Sequence, residues 1–215
     1  RTDPDVPKHK GISVILVLTE SDGLVRRPFP TVCHHDDLDF NEVFFTDVRV
    51  PAENLVGPLN GGWRVANGAL GHERTMMWMQ YADRLHNLVE DFHPITPLER
   101  DKYATLLMDR QALRLLGSAA VAKAARGEED MTTISVLKVL GSEAERDATE
   151  AALDAMGVEG LRHPANTSAY APYDLDYLSA SWIERYFRSF AGTIAGGTSE
   201  IQRNIIARGL GLPLS

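Results

Sequence analysis

A change of composition constrains this chain more than any other feature. Up to about Pro51 the sequence is rich in β-branched and aromatic residues, as in Ile12–Thr19 and Glu42–Pro51. After Gly57-Pro58-Leu59-Asn60-Gly61-Gly62 it turns to long segments of Ala, Leu, Met, Glu and Arg, the strong helix formers. The first part predicts three or four antiparallel strands, with Asp22-Gly23 as a hairpin turn between the first runs. The second predicts a bundle of four or five helices. The fold class is therefore mainly α with a β segment: a partial antiparallel β domain over residues 1–58, then an up-and-down helical bundle over 59–215.

Spacing and caps set the helices. Val65, Ala69, Met76, Tyr81, Leu85, Leu88 and Val89 give near-helical spacing from about Trp63 to Phe92, until Pro94 and Pro97 stop the helix. Thr96-Pro97-Leu98-Glu99 reads as an N-cap, a proline at the first helical position and a capping box, opening a second helix that ends at Gly127. A third spans about Met131 to Met156 and ends at Gly157, with a small-residue face of Ala144, Ala148, Ala151, Ala152 and Ala155 suited to close packing. A fourth lies around Leu175 to Phe190, and a last runs from about Thr198 to Leu210.

Composition excludes some function classes. A formal net charge of −8 argues against a nucleic-acid surface, while a local basic patch for a phosphate-bearing ligand stays open. The longest apolar run, Ile12 to Leu18, is far below the roughly 20 residues of a membrane span. The single cysteine, Cys33, cannot form an intrachain disulfide and reads as a small, at least half-buried residue. A soluble, reducing, cytoplasmic setting is the expectation. The opening Arg1-Thr2-Asp3-Pro4 reads as part of a longer protein. In His34-His35-Asp36-Asp37 the adjacent histidines diverge and no third ligand has suitable spacing, so a solvated loop is expected and no metal. Met76-Met77-Trp78-Met79 fits either a ligand tunnel or ordinary core.

Three segments, in order, carry a more specific pattern: Phe40-Asn41-Glu42-Val43-Phe44-Phe45-Thr46-Asp47-Val48-Arg49-Val50-Pro51-Ala52-Glu53-Asn54-Leu55-Val56-Gly57, Gly61-Gly62-Trp63, and Gly197-Thr198-Ser199-Glu200-Ile201-Gln202-Arg203-Asn204-Ile205-Ile206-Ala207. Together they resemble the acyl-CoA dehydrogenases, FAD enzymes that desaturate acyl-CoA thioesters. The resemblance covers all 215 residues. It implies the second part of the family's middle β domain, joined to its C-terminal helical bundle. Implied partners are an acyl-CoA substrate, an electron-transfer flavoprotein as acceptor, and a homotetramer or heterotetramer. A role in fatty acid or sterol side-chain β-oxidation goes with it.

The chemistry removes a proton beside the thioester while a hydride leaves the next carbon, so it needs a carboxylate base and a polarised carbonyl. Many members place the base just before Gly-Thr-Ser-Glu-Ile-Gln, and here that position is Gly196. In a branch that includes isovaleryl- and long-chain acyl-CoA dehydrogenases the base lies instead in a Glu-Arg pair on the first bundle helix. By that match, in Gly71-His72-Glu73-Arg74, Glu73 is the base and Arg74 lies beside the bound ester. Gly196 supplies a backbone N–H to the carbonyl, and the glycines at 196 and 197 clear space for a bulky or branched acyl group. Thr198, Ser199 and Glu200 contact the flavin cofactor. Gly157, in a degraded form of the family's glycine-rich bend (Gly157-Val158-Glu159-Gly160), contacts the flavin of a neighbouring subunit.

Read from the residues alone, each assignment has a plainer counterpart. A Glu-Arg pair on a helix is usually a solvated face, and Thr198-Ser199-Glu200 reads as an N-cap followed by a first-turn acid. Where many relatives carry Arg-x-x-Phe-Gly, this chain has Glu90-Asp91-Phe92-His93-Pro94-Ile95-Thr96-Pro97, which puts the usual cross-subunit contact in doubt. Two other functions stay open: a non-catalytic partner subunit of a heteromeric dehydrogenase, and a flavin monooxygenase of the same fold.

Overall fold

The computed structural model describes residues 1–32, 40–128, 130–162 and 181–213, with the side chains of His72, Arg74, Thr75, Met76 and Asp91 left aside. Cys33, the His34–Asp37 run and Tyr177 lie outside the described residues. The chain divides into two compact units within one long helix, between His72 and Glu73. Each is described by itself.

In the first unit, four short strands form two separate ladders rather than one sheet. Strand β1 (Val14–Ile15) pairs antiparallel with β4 (Leu55–Val56), and β2 (Leu24–Phe29) pairs antiparallel with β3 (Phe40–Phe45). The Asp22-Gly23 turn therefore does not join the first two strands as a hairpin. Gly23 sits at φ 84° in a turn, and the partner of β1 is found much later in the chain, in β4. The register Leu24↔Phe45, Val25↔Phe44 and Phe29↔Phe40 brings apolar side chains across the ladder. Val25, Phe29, Phe40, Val43, Phe44 and Phe45 all remain exposed, because two strands alone cannot bury both their faces.

Within the first unit the start of the long helix is held by polar contacts. Ser13 Oγ accepts from the Asn60 backbone N–H at 2.8 Å, and Gly62 N–H donates to the Ile12 carbonyl at 2.9 Å. A Cβ on Gly62 would lie 2.7 Å from Ser13 Cα, so only glycine permits this approach.

Among the described residues five α-helices follow: α1 (Gly62–Asp91), α2 (Pro97–Ala124), α3 (Met131–Met156), α4 (Trp182–Ile194) and α5 (Ser199–Gly209). Helix α2 opens with the predicted capping box: Thr96 Oγ1 accepts from Glu99 N–H at 3.2 Å, and the Glu99 carboxylate accepts from Thr96 N–H at 2.8 Å. It ends at Ala124, with Gly127 three residues later in the left-handed region at φ 75°. Helix α3 runs from Met131 to Met156, as its spacing predicts. Helix α4 is opened by a second capping box, formed by Ser181 and Glu184; the part of the expected fourth helix before Ser181 lies outside the described residues.

In the second unit the core joins α1, α2 and α3 through Tyr81, Leu85, Leu88, Val89, Leu106, Leu113, Leu137, Ala144 and Ala148. Ala151 and Ala152 are also buried, whereas Ala155 is exposed and Ala69 of α1 is too. Of the methionine-tryptophan run, Met77 and Trp78 pack against this core, while Trp78 and Met79 also line a cleft. Aromatic rings enter notches left by glycine: a Cβ on Gly117 of α2 would lie 2.4 Å from the Trp78 ring, and one on Gly141 of α3 would lie 2.6 Å from the Tyr81 ring.

Two predictions follow from this packing. Gly117→Ala forces the Trp78 ring out of its notch, and should lower stability by about 1–3 kcal/mol in urea unfolding. The second concerns Asp130, the N-cap of α3, which accepts from Thr133 N–H at 2.9 Å and pairs with Lys123. The Lys123 ammonium, then the Thr133 bonds, hold its carboxyl well below the usual aspartate range. A depressed folded value means that this stabilisation is fully present above the ordinary aspartate pKa of about 4 and is lost as pH falls through the folded value. Asp130→Ala should therefore cost about 1 kcal/mol at pH 7, and the gap to wild type should close as unfolding is measured at progressively lower pH below about 4.

Candidate functional site

The Gly-Gly-Thr-Ser-Glu segment folds as a tight turn into a helix. Gly196 at φ 64° and Gly197 at φ 96° both occupy the left-handed region, and Thr198 then caps α5 by accepting from Ile201 N–H at 3.4 Å. The turn is tied from inside the bundle by Gln202, which is fully buried. Its Nε2 donates to the Gly196 carbonyl at 2.8 Å and lies 3.4 Å from that of Gly197. The motif contains Gln202, but nothing in its spacing says that its amide would fold back on the two glycines that precede it.

The three residues after the glycines differ in environment. The Thr198 hydroxyl serves the cap. Ser199 is buried, and its Oγ has no hydrogen-bond partner among the described residues. Glu200 is exposed in the first turn of α5; its carboxyl is held below the usual range by its own backbone N–H first and the Thr198 hydroxyl second, with Arg203 and Lys138 adding positive charge.

Glu73 stands exposed on α1, with Arg74 next in the helix and its side chain outside the described set. Two turns further along α1, Tyr81 is buried, and its hydroxyl lies 3.4 Å from the carbonyl of Gly192. Burial, the Glu145 carboxylate and the Glu73 carboxylate all push the Tyr81 phenol upward, against Arg84. Tyr81, eight residues after Glu73 on the same helix, is thus the residue of α1 that reaches the last turn of α4, just before Gly196.

Helix α3 supplies polar groups that spacing hides. Ser135, Lys138, Ser142, Glu145 and Thr149 are all buried. Glu145 takes an ion pair from Arg84 of α1 at 3.2 Å. These positions repeat at helical spacing, a pattern that does not by itself say which way the face turns, and the packing of neighbouring helices turns them inward.

Gly157 stands apart. It closes α3 at φ 57° with open space around the position of a Cβ, and begins a 3₁₀ turn over Gly157–Leu161. Helix α5 lies along α3, with Arg203 paired to Glu143 at 2.6 Å and Gly209 against Thr132. Gly157 lies 14 residues beyond Glu143 (157 minus 143), about 21 Å along the helix axis. The structure therefore groups Gly196, Gly197, Thr198, Ser199 and Glu200 but leaves Gly157 elsewhere. A cleft of about 420 Å³ lined by Trp78, Ala82, Asp83, His86, Arg110 and Arg114 contains none of the predicted site residues. Among the described residues no cluster of three His, Cys, Asp or Glu is placed to hold a metal, and no helix is long and apolar enough to cross a membrane.

Comparison with known proteins fits this geometry. Residues 95–211 match the family model for the acyl-CoA dehydrogenase C-terminal domain. The chain belongs to the acyl-CoA dehydrogenase family. It is 35% identical to acyl-CoA dehydrogenase IpdE1 of Mycolicibacterium smegmatis, over 99% of this chain and 52% of that protein. Acyl-CoA dehydrogenase FadE29 of Mycobacterium tuberculosis is 31% identical, over 99% of this chain and 55% of that protein. Among solved structures, the Tcur3481-Tcur3483 steroid ACAD superposes with a TM-score of 0.79 at 28% identity, over 100% of this chain and 56% of that one. The chain thus spans about half the length of these relatives.

Gln202→Leu keeps the volume and removes the donor to the Gly196 and Gly197 carbonyls. It should cost about 1–3 kcal/mol in urea unfolding. It should also speed amide hydrogen exchange at the start of α5 relative to α3.

Proposed function

We propose that the protein of which this chain forms a part removes the proton beside the thioester of an acyl-CoA, with Glu73 as the base, in a FAD-dependent α,β-dehydrogenation. The observation that carries this reading is the pairing of a side-chain-free Gly196 with an exposed Glu73 on α1, the helix whose Tyr81 hydroxyl lies 3.4 Å from the Gly192 carbonyl in the last turn of α4 before Gly196. The turn itself brings no carboxylate, so the base comes from α1. The Gly196 N–H is the donor toward the thioester carbonyl, Arg74 lies beside the ester, and Gly197 keeps the space above it clear. A bulky or branched acyl group suits two adjacent glycines.

The residues at the start of α5 fit a flavin. Ser199 has hydroxyl capacity that no described residue of the chain satisfies, and Glu200 is exposed beside it. Thr198, Ser199 and Glu200 would hold FAD through polar contacts to its sugar or ring, since an acid at a helix start disfavours the pyrophosphate. When bound, the flavin supplies the hydride acceptor. Gly157, remote from this group, would serve the flavin of a neighbouring subunit.

Assembly follows the same reading. Solved structures similar to this chain include the ChsE4-ChsE5 complex from Mycobacterium tuberculosis, with a TM-score of 0.72 at 25% identity, and the Tcur3481-Tcur3483 protein, both named for two components. These favour a heterotetramer over a homotetramer, and keep open a second reading in which the chain only completes a partner's pocket. The division at residues 58 and 59 is the domain boundary in this proposal, and the exposed apolar face of β2 and β3 is covered by the rest of the β domain. Electron-transfer flavoprotein is the acceptor and the setting is cytoplasmic.

The test is anaerobic titration of the full-length, FAD-loaded protein with a panel of acyl-CoA thioesters. Wild type should bleach the flavin absorbance, and Glu73→Gln should slow the bleaching by about 10²-fold or more. Equal bleaching in both removes Glu73 from the mechanism, and none in either supports the partner-subunit reading.

A further inference from the structure

We infer that Tyr81 is a positioning residue that fixes the helix carrying Glu73 against the turn carrying Gly196, an inference that rests on the assignment of Glu73 as base. Tyr81 is 3% exposed, and it occupies a slot made by glycines on two other helices. A Cβ on Gly141 of α3 would lie 2.6 Å from its ring, and one on Gly192 of α4 would lie 3.2 Å from its hydroxyl oxygen. Any other residue at Gly141 would push the ring aside, so the slot has the shape of this side chain.

The hydroxyl makes the slot directional. A buried phenylalanine would pack as well without a polar atom to desolvate, so a phenol that keeps its hydroxyl in the core has to use it. Its neighbour is the Gly192 carbonyl at 3.4 Å, long for an O–H···O bond. Gly192 lies in the last turn of α4, four residues before Gly196. On the other side, Tyr81 follows Glu73 by eight residues of the same helix, about 12 Å along the axis. One side chain therefore connects the helix that presents the base with the segment that presents the carbonyl donor. Proton abstraction depends on both reaching one substrate carbon and its carbonyl together, and a misplacement of about 1 Å can cost about 10²-fold in rate.

The slot also predicts a specific coupling. In Gly192→Ala the new methyl meets the Tyr81 hydroxyl and presses the ring away from α4, whereas in Tyr81→Phe there is no hydroxyl to meet. The two changes should therefore not add.

The test uses the full-length, FAD-loaded protein and separates binding from rate. Affinity is read by calorimetry with a non-reactive thioether analogue of an acyl-CoA that bleaches wild type, and rate by anaerobic stopped-flow bleaching with the thioester. Tyr81→Phe should lower the limiting bleaching rate about tenfold or more with the analogue Kd within about twofold of wild type. Gly192→Ala should do the same, and the double variant should be no slower than Tyr81→Phe alone. Three results overturn the inference and leave the base assignment standing, provided that Glu73→Gln remains slow. These are a wild-type rate in Tyr81→Phe, a parallel loss of affinity and rate that marks a general structural defect, and strictly additive losses in the double variant. A wild-type rate in Glu73→Gln overturns the base assignment, and the inference falls with it.

Discussion

The helical unit is organised by a helix that buries charge. Helix α3 packs against α2, α4 and α5 and turns Lys138 and Glu145 inward along with Ser135, Ser142 and Thr149. A carboxylate at 1% exposure is tolerable only with a counter-charge, and Arg84 of α1 supplies it at 3.2 Å. That pair fixes α1 on α3 in rotation as well as in distance, since a guanidinium cannot be exchanged for another group at the same place without leaving the buried acid uncompensated. Tyr81, one turn before Arg84, then falls into the notch at Gly141. The placement of Glu73 follows from both.

Small residues carry out a second kind of specification. Gly117 and Gly141 accept the rings of Trp78 and Tyr81, and Gly209 of α5 lies so close to Thr132 that a Cβ would come within 2.0 Å of its hydroxyl. In a close-packed interior such absences are as informative as side chains, because a single added methyl has nowhere to go. The glycines at 196 and 197 belong to a different class. They are required by backbone conformation, and the Gln202 amide that ties their carbonyls makes the turn a defined element rather than a loose loop.

Much of the bundle was legible in the sequence because its signals are local. Thr96, Pro97 and Glu99 announce α2 through a capping box, and the span Met131–Met156 follows from spacing and the closing Gly157. The capping box that opens α4, Ser181 with Glu184, is a local signal of the same kind. The strands were harder. Their number was readable from β-branched and aromatic runs, yet β1 pairs with β4 across the length of the unit, and a long-range ladder leaves no local mark. The candidate site divides in the same way: the glycine turn and the Glu-Arg pair are visible as motifs, while Gln202, Tyr81 and Glu145 are not, because a buried polar residue at helical spacing looks the same in a sequence as an exposed one.

By itself the sequence determined the class of fold, the family, the helix starts with good caps, and the absence of a carboxylate at residue 196. These depend on residue type and short-range spacing, which the chain carries with it before it folds. Tertiary structure alone decided which polar residues of α3 face inward, that α5 lies along α3 with Arg203 at Glu143, and that Tyr81 bridges α1 to α4. Each of those depends on which helix faces which, a choice made by packing between segments distant in sequence.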